Sequence, residues 1–141
     1  MAKRMCFVSF DYDHDRHYKY LLEAWDANPD FDFSFADRTP GEINSSNVGA
    51  IKAALTAKIN SATHTLVIIG QYANSPHPKR DLIGFKNWIN FEINRSKASR
   101  NKVVAIKIDR SYESPDELSG ANASWAFAFE EQAILRALRE A

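Results

Sequence analysis

The stretch Thr65-Leu66-Val67-Ile68-Ile69, closed by Gly70, decides the fold. Four apolar residues follow Thr65 without a break, and most residues of the stretch are β-branched. Both properties are typical of a strand buried on both faces. Such strands occur in parallel sheets whose faces are both covered by helices. The segment therefore predicts a central strand of an α/β sheet.

Strand and helix signals alternate on both sides of this stretch. Further strands are predicted at Met5 to Phe10, at Phe31 to Phe35, where two-residue alternation indicates an edge strand, and at Lys102 to Ile108. Helical spacing predicts helices over Tyr18 to Trp25, over Val48 to Ile59, over the segment with Trp88 and Glu92, and over Ser124 to Leu138. Strands that alternate with helices favour a mostly parallel sheet covered on both faces.

Length and composition limit the possible classes of protein. A chain of 141 residues, 45% of them hydrophobic, predicts a single domain over residues 1–141. Its formal net charge is zero, which argues against nucleic acid and against anionic membranes and favours a specific small ligand. The lone Cys6 lies in an apolar run and predicts a buried thiol. With no signal peptide or membrane span in the sequence, we expect a cytoplasmic protein.

The binding crevice of such a sheet lies beyond the carboxyl ends of its strands, where the strand order reverses. That rule selects the loops Asp11 to Arg16, Asp37 to Asn47 and Gln71 to Ile83, and the segment after Asp109. The predicted helix with Glu92 starts from the third of these loops. Its first turns are therefore expected beside the crevice.

Trp88 and Glu92 are four residues apart and share one face of this helix. Two interpretations stay open for each residue. Trp88 is either a pocket wall or a core side chain under the long loop. Glu92 is either a site carboxylate or a helix residue that is solvated or forms a salt bridge with Arg95 or Lys97.

Other chemistries find less support in the sequence. Asp11, Asp13 and Asp15 follow the first strand, where carboxylates hold magnesium in receiver-like folds, but Asp13 or Asp15 can equally cap the next helix. A receiver also needs an acceptor aspartate after the third strand, where this chain has Gly70 and Gln71. The four histidines lack metal-ligand spacing, so no metal site is predicted. Glycine-rich phosphate loops and a serine elbow are also missing.

Four segments in this order resemble a TIR domain. They are Cys6-Phe7-Val8-Ser9-Phe10, Phe33-Ser34-Phe35-Ala36-Asp37, Leu66-Val67-Ile68-Ile69-Gly70 and Asn87-Trp88-Ile89-Asn90-Phe91-Glu92-Ile93. The resemblance covers nearly the whole chain and is strongest to the bacterial ThsB-like proteins of Thoeris anti-phage defence. It implies a single-domain TIR/flavodoxin-like three-layer sandwich around a mostly parallel sheet.

The resemblance also implies an activity. TIR enzymes cleave the nicotinamide-ribose bond of NAD, and their catalytic glutamate lies in a Trp-x-x-x-Glu pattern that Trp88 and Glu92 match. ThsB-like members make a cyclic ADP-ribose isomer, which activates a separate effector protein. NAD is then a substrate, and no cofactor is implied. The basic residues that often follow the first strand of such enzymes are absent here, where Asp11, Tyr12 and Asp13 stand instead.

The remaining site residues are selected by position. Phe10, Asp11, Asp37, Asn44 and Trp88 are candidates for substrate binding because they lie at strand ends, in the adjoining loop or in the matched pattern. By resemblance, TIR domains associate with one another, and the loop Arg38 to Asn47 would complete a neighbour's site. Two alternatives to the NAD-consuming enzyme stay open: a non-catalytic TIR-like interaction module and a receiver-like magnesium or phosphoryl domain.

Overall fold

The described part of the chain forms one sheet of five parallel strands in the order β2-β1-β3-β4-β5. The computed structural model describes residues 4–29, 31–36 and 47–141. Its strands are β1 (Arg4–Ser9), β2 (Phe33–Ala36), β3 (His64–Ile69), β4 (Lys102–Lys107) and β5 (Ser124–Ala126). The predicted parallel sheet is confirmed, and β2 lies at one edge as expected.

Strand β3 is the middle strand, and it is buried along its whole length. Leu66 and Ile68 belong to the core on one face of the sheet, and Val67 and Ile69 to the core on the other. Successive side chains of a strand point to opposite faces, so an unbroken apolar run needs cover on both sides. The central position predicted for this segment is confirmed.

Helices provide that cover on both faces. They are α1 (Tyr12–Asp26), α2 (Val48–Asn60), the short α3 (Arg80–Ile83), α4 (Trp88–Ala98) and α5 (Glu131–Glu140), with a 3-10 turn at Asp116–Leu118. Helices α1 and α5 share a core with Leu66 and Ile68, whereas α2 and α4 pack on the opposite face. This arrangement is the expected three-layer sandwich. None of the described helices has the length and apolar character needed to cross a bilayer.

The strand order reverses between β1 and β3. After β1 the chain adds β2 on one side, and it then continues with β3 on the other side of β1. The loops after β1 and β3 therefore leave the sheet in opposite directions and open a crevice at the carboxyl ends of these strands. This is the place that the sequence predicts for a ligand.

The helix predicted over Ser124 to Leu138 is wrong in its first half. Ser124–Ala126 pairs with β4 as strand β5, and α5 begins only at Glu131. Ala126 is buried, whereas the flanking Trp125 and Phe127 are exposed at 39% and 57%. This alternation is the two-residue period of a strand. The open edge of β4 supplies the backbone hydrogen bonds that a helix would otherwise form internally.

The first helix is capped by a different aspartate from the two predicted. The side chain of Asp11, at the N-cap of α1, accepts a hydrogen bond from the backbone N–H of Asp13 at 3.2 Å. Asp13 and Asp15 lie within the first turn, where negative charge is favourable. The capping interpretation of the acidic run holds, although the cap itself is Asp11.

Candidate active site

Glu92 is completely buried in the first half of α4. It has no exposed surface, and the hydroxyl of Ser9, the last residue of β1, donates a hydrogen bond to its Oε1 at 2.6 Å. The interpretation of Glu92 as a solvated helix residue is therefore wrong. Lys97, one of the two ion-pair partners considered, lies instead 3.0 Å from Glu117.

Buried hydroxyl groups fix this part of α4 against the sheet. The Ser96 hydroxyl donates to the backbone carbonyl of Glu92 at 2.8 Å and lies 2.7 Å from the Thr65 hydroxyl of β3. Burying a carboxylate is costly unless hydrogen-bond donors compensate for the lost water, and Ser9 is such a donor. The Glu92 side chain is thus held by β1, and its backbone is linked to β3 through Ser96.

An open pocket of about 230 Å³ lies at the carboxyl ends of β1 and β3. Its walls come from the segment after β1, from α1, from the loop after β3, and from α4 with its cap. The lining residues are Phe10, Asp11, His14, Tyr72, Ser75, Pro76, His77, Pro78, Asn87, Trp88 and Ile89. The walls are largely aromatic or apolar and carry a few polar groups, which is the usual character of a small-molecule site.

Three of the predicted site residues, Phe10, Asp11 and Trp88, line this pocket. Glu92 lies one helical turn beyond Trp88 on α4 and is not among the lining residues. Asp37 and Asn44 lie outside the described residues, as does the proposed loop from Arg38 up to Ser46. The structure thus brings three candidates together around the pocket, and Glu92 is buried one helical turn from Trp88.

Both interpretations of Trp88 describe part of its environment. The side chain is partly buried and packs edge-to-face on Phe91, with 5.6 Å between ring centroids and an angle of 88° between the rings. It also lines the pocket. One side of the indole therefore belongs to the core, and its remaining surface is available to a ligand.

His14 is a pocket residue that the sequence reasoning set aside. Its Nδ1 lies 2.7 Å from Oδ2 of Asp11, and its ring stands 4.3 Å from the ring of Tyr72, centroid to centroid. The sequence did contain a signal for this pair, since residues three apart in a first helical turn are neighbours. A criterion based on metal-ligand spacing overlooks the pair because it asks for three or four ligands and not for two neighbouring side chains.

Buried asparagines hold the loop after β3 in place. The Asn87 amide donates to the carbonyls of Ala73 at 2.9 Å and Ser75 at 3.0 Å, and its oxygen accepts from the backbone and side-chain nitrogens of Asn90. Asn90 also donates to Asn74 at 3.0 Å. This network joins the pocket loop to the start of α4. Such a network rigidifies a site when each of its groups is satisfied.

Asp15 is a second buried carboxyl group near the crevice. It lies against Gly70 at the end of β3, so closely that a Cβ on Gly70 would overlap the carboxylate. Burial, reinforced by the charge of Asp11, raises the pKa of Asp15 above its usual value. The missing Cβ of Gly70 therefore leaves room for the Asp15 carboxyl group, and its backbone angle is not unusual.

Cys6 has the buried environment predicted for it. The thiol is free and has no exposed surface, and burial raises its pKa.

Across the described residues 4–29, 31–36 and 47–141, no group of three or more His, Cys, Asp or Glu side chains is arranged to hold a metal ion.

Comparisons with known proteins agree with this architecture. The family model described as Thoeris protein ThsB, TIR-like domain, matches residues 7–113, which is more than half of the chain. Among solved structures, 2-desoxiribosyltransferase from Leishmania mexicana is similar, with a TM-score of 0.58 and 11% sequence identity, over 97% of each chain. At that identity the likeness concerns the fold alone. A search of curated proteins finds no match.

The family match includes most of the structural features described above. It extends from β1 through the pocket loop and α4 to the segment after β4, and so contains Ser9, Trp88 and Glu92. It also brings the chain into the context of the Thoeris anti-phage system. The chain belongs to the family of Thoeris ThsB TIR-like domains.

Proposed function

We propose that this protein cleaves the nicotinamide-ribose bond of NAD with Glu92 as the catalytic carboxylate, as an NAD glycohydrolase or ADP-ribosyl cyclase. The proposed product is a cyclic ADP-ribose isomer that acts as a signal in anti-phage defence. One observation carries the proposal. The carboxylate of the Trp-x-x-x-Glu helix is held by Ser9 at the carboxyl end of β1, one turn beyond a residue that lines the pocket.

The chemistry requires a single fixed carboxylate. When nicotinamide leaves, positive charge develops on the ribosyl carbon and ring oxygen, as in glycoside cleavage. A carboxylate held by Ser9 and by the α4 backbone is oriented to stabilise that charge once the site has opened to substrate. Nicotinamide leaves as a neutral molecule, so the departure needs no general acid.

The pocket accommodates one end of the substrate. Its volume of about 230 Å³ lies below the roughly 300–1,000 Å³ of sites that enclose drug-sized ligands, which supports binding of the nicotinamide riboside half. Trp88 and Tyr72 offer aromatic surfaces for the pyridine ring. The structurally similar protein is named for transfer of a 2-deoxyribosyl group, and substitution at a ribosyl carbon is the chemistry proposed here.

The burial of Glu92 bears on the product. A substrate reaches a carboxylate with no exposed surface only after neighbouring groups move, and we propose that substrate binding or TIR-TIR self-association drives this opening. A site that opens only to substrate excludes water. Capture of the ribosyl carbon by a group of the same molecule then competes well with hydrolysis.

The same burial also favours a second candidate, a non-catalytic TIR-like interaction module. In that case Glu92 serves only to join α4 to β1 through Ser9. The two candidates differ in one property, because only the enzyme consumes NAD. The separate effector, reached through the nucleotide product, belongs to the first candidate alone.

Incubation with NAD at low and at high protein concentration, the latter with a crowding agent, tests the proposal. Mass spectrometry should detect nicotinamide together with a cyclic ADP-ribose isomer. Glu92→Gln should abolish both products, whereas Glu140→Gln, at an exposed position of α5, should leave them unchanged. Plain ADP-ribose as the only product would identify a hydrolase. Absence of nicotinamide under every condition would refute the enzyme and leave the interaction module.

A further inference from the structure

Asp11 and His14 form a hydrogen-bonded pair that faces the pocket. Asp11 is held by the first turn of α1, since its side chain accepts from the backbone N–H of Asp13. Its Oδ2 lies 2.7 Å from Nδ1 of His14. Both side chains line the pocket on the side formed by β1 and α1, and Trp88 and Ile89 line it from α4. The pair therefore shares the cavity with the helix that carries Glu92.

The pair defines which nitrogen of the imidazole can take up a proton. An ionised carboxylate only accepts hydrogen bonds, so Nδ1 of His14 carries the hydrogen that points to Asp11. In the neutral ring, Nε2 then has the lone pair. The Tyr72 ring, with its centroid 4.3 Å away, limits rotation of the imidazole. A carboxylate that fixes the tautomer of a histidine is the arrangement by which enzymes orient a general base.

We propose that His14 is the general base of the reaction and that Asp11 is its positioning residue. This inference rests on the proposed cleavage of NAD. The oxygen of an acceptor O–H group, from water or from a ribose hydroxyl, bonds to the ribosyl carbon as the bond to nicotinamide breaks. The electron pair of the broken bond leaves with nicotinamide. The proton of the acceptor passes to Nε2 of His14, and Asp11 stabilises the imidazolium.

The α4 wall and the α1 wall of the pocket then contribute different groups to the reaction. Glu92 stabilises positive charge on the substrate from the α4 side, and His14 removes a proton from the acceptor on the α1 side. The ionisable groups around His14 are its partner Asp11, the nearby Asp15 and the Tyr72 ring, and His77 lines the same pocket. Because a general base must be unprotonated to accept the proton, activity should fall at low pH.

His14→Gln tests the proposal, with His17→Gln as the matched control on the same helix. His17 packs against Tyr18 and is not among the pocket residues. With NAD as substrate, His14→Gln should lower kcat about 100-fold with KM little changed, and should remove the acid limb of the pH profile. His14→Ala should regain activity when imidazole is added. Asp11→Asn should give a smaller loss with its helix intact, because Asn is an equally good N-cap.

The outcomes separate this proposal from the one on which it rests. If wild-type protein releases nicotinamide and His14→Gln keeps both the rate and the acid limb, the general base is overturned and NAD cleavage stands. If the His14→Gln variant turns over slowly but its pH profile keeps the acid limb, and imidazole does not rescue His14→Ala, the general base is also overturned. His14 is then structural. If wild-type protein releases no nicotinamide, both proposals fail.

Discussion

Replacing Ser9 with alanine removes the hydroxyl that holds the Glu92 carboxylate. The hydrogen bond is 2.6 Å long, and both residues are fully buried. A hydrogen bond contributes roughly 0.5–1.5 kcal/mol net, whereas a buried acceptor left without its donor costs roughly 1–3 kcal/mol in desolvation. Alanine differs from serine by one oxygen atom, so the cavity term is small. We therefore expect Ser9→Ala to lower the free energy of unfolding by about 2 kcal/mol.

Urea unfolding followed by tryptophan fluorescence measures this loss. With an m-value of about 2 kcal/mol/M, a loss of this size moves the unfolding midpoint down by about 1 M urea. In a thermal melt the same change lowers Tm by about 8 °C for a domain of this length. The m-value itself should stay constant, because the surface exposed on unfolding does not change.

Ser111→Ala is the matched control. Its hydroxyl donates to Oδ1 of Asp109 at the same 2.6 Å, but both residues are exposed. That substitution should change the free energy of unfolding by less than about 0.5 kcal/mol. A double-mutant cycle of Ser9→Ala with Glu92→Gln then isolates the coupling between the two side chains. If Ser9→Ala costs no more than Ser111→Ala and the cycle shows no coupling, the argument that burial strengthens this contact is refuted.

Three further substitutions test other parts of the structure. Gly70→Ala should destabilise the fold by roughly 1–3 kcal/mol in urea unfolding, because its Cβ would overlap the Asp15 carboxylate. Asp15→Asn should stabilise the protein at neutral pH in thermal melts. The raised pKa of Asp15 means that wild-type stability falls as pH rises from the usual aspartate range through the raised pKa, and the variant should lose this dependence. Asn90→Ala should speed hydrogen exchange of the loop after β3, because Asn90 bonds to both Asn74 and Asn87.

Each of these has a result that would contradict it. Gly70→Ala with wild-type stability would mean that Asp15 is easily displaced from the end of β3. If Asp15→Asn retained the full pH dependence of wild-type protein, that dependence would come from other groups. Unchanged exchange of the loop in Asn90→Ala would show that the amide network is not what orders the pocket wall.

The central strand and the carboxylate helix could be predicted because each has a strong local signal. The run Thr65 to Ile69 can be buried only between two layers, and the structure places it in the middle of the sheet. Trp88 and Glu92 lie on one helix because their spacing matches its period. The order of the segments sufficed to recognise the family, which the match over residues 7–113 confirms.

Strand β5 could not be predicted because its signal is short and its partner is distant in sequence. Three residues of alternating size at Ser124–Ala126 resemble the start of a helix until the edge of β4 is known to be open. The position of His14 beside the pocket could not be predicted for a similar reason. Its neighbour Asp11 is local, but Tyr72 comes from the loop after β3, and only the fold brings that loop to α1.

The sequence by itself determined the class of fold, the family and the identity of the candidate carboxylate, since each depends on local periodicity or on the order of segments along the chain. Only the tertiary structure decided that Glu92 is buried, that Ser9 is its donor, and that Asp11 and His14 face the same pocket as Trp88. Ser9 and Glu92 are 83 residues apart. Contacts of that range follow from how the strands are ordered in the sheet, and no local pattern in the chain encodes them.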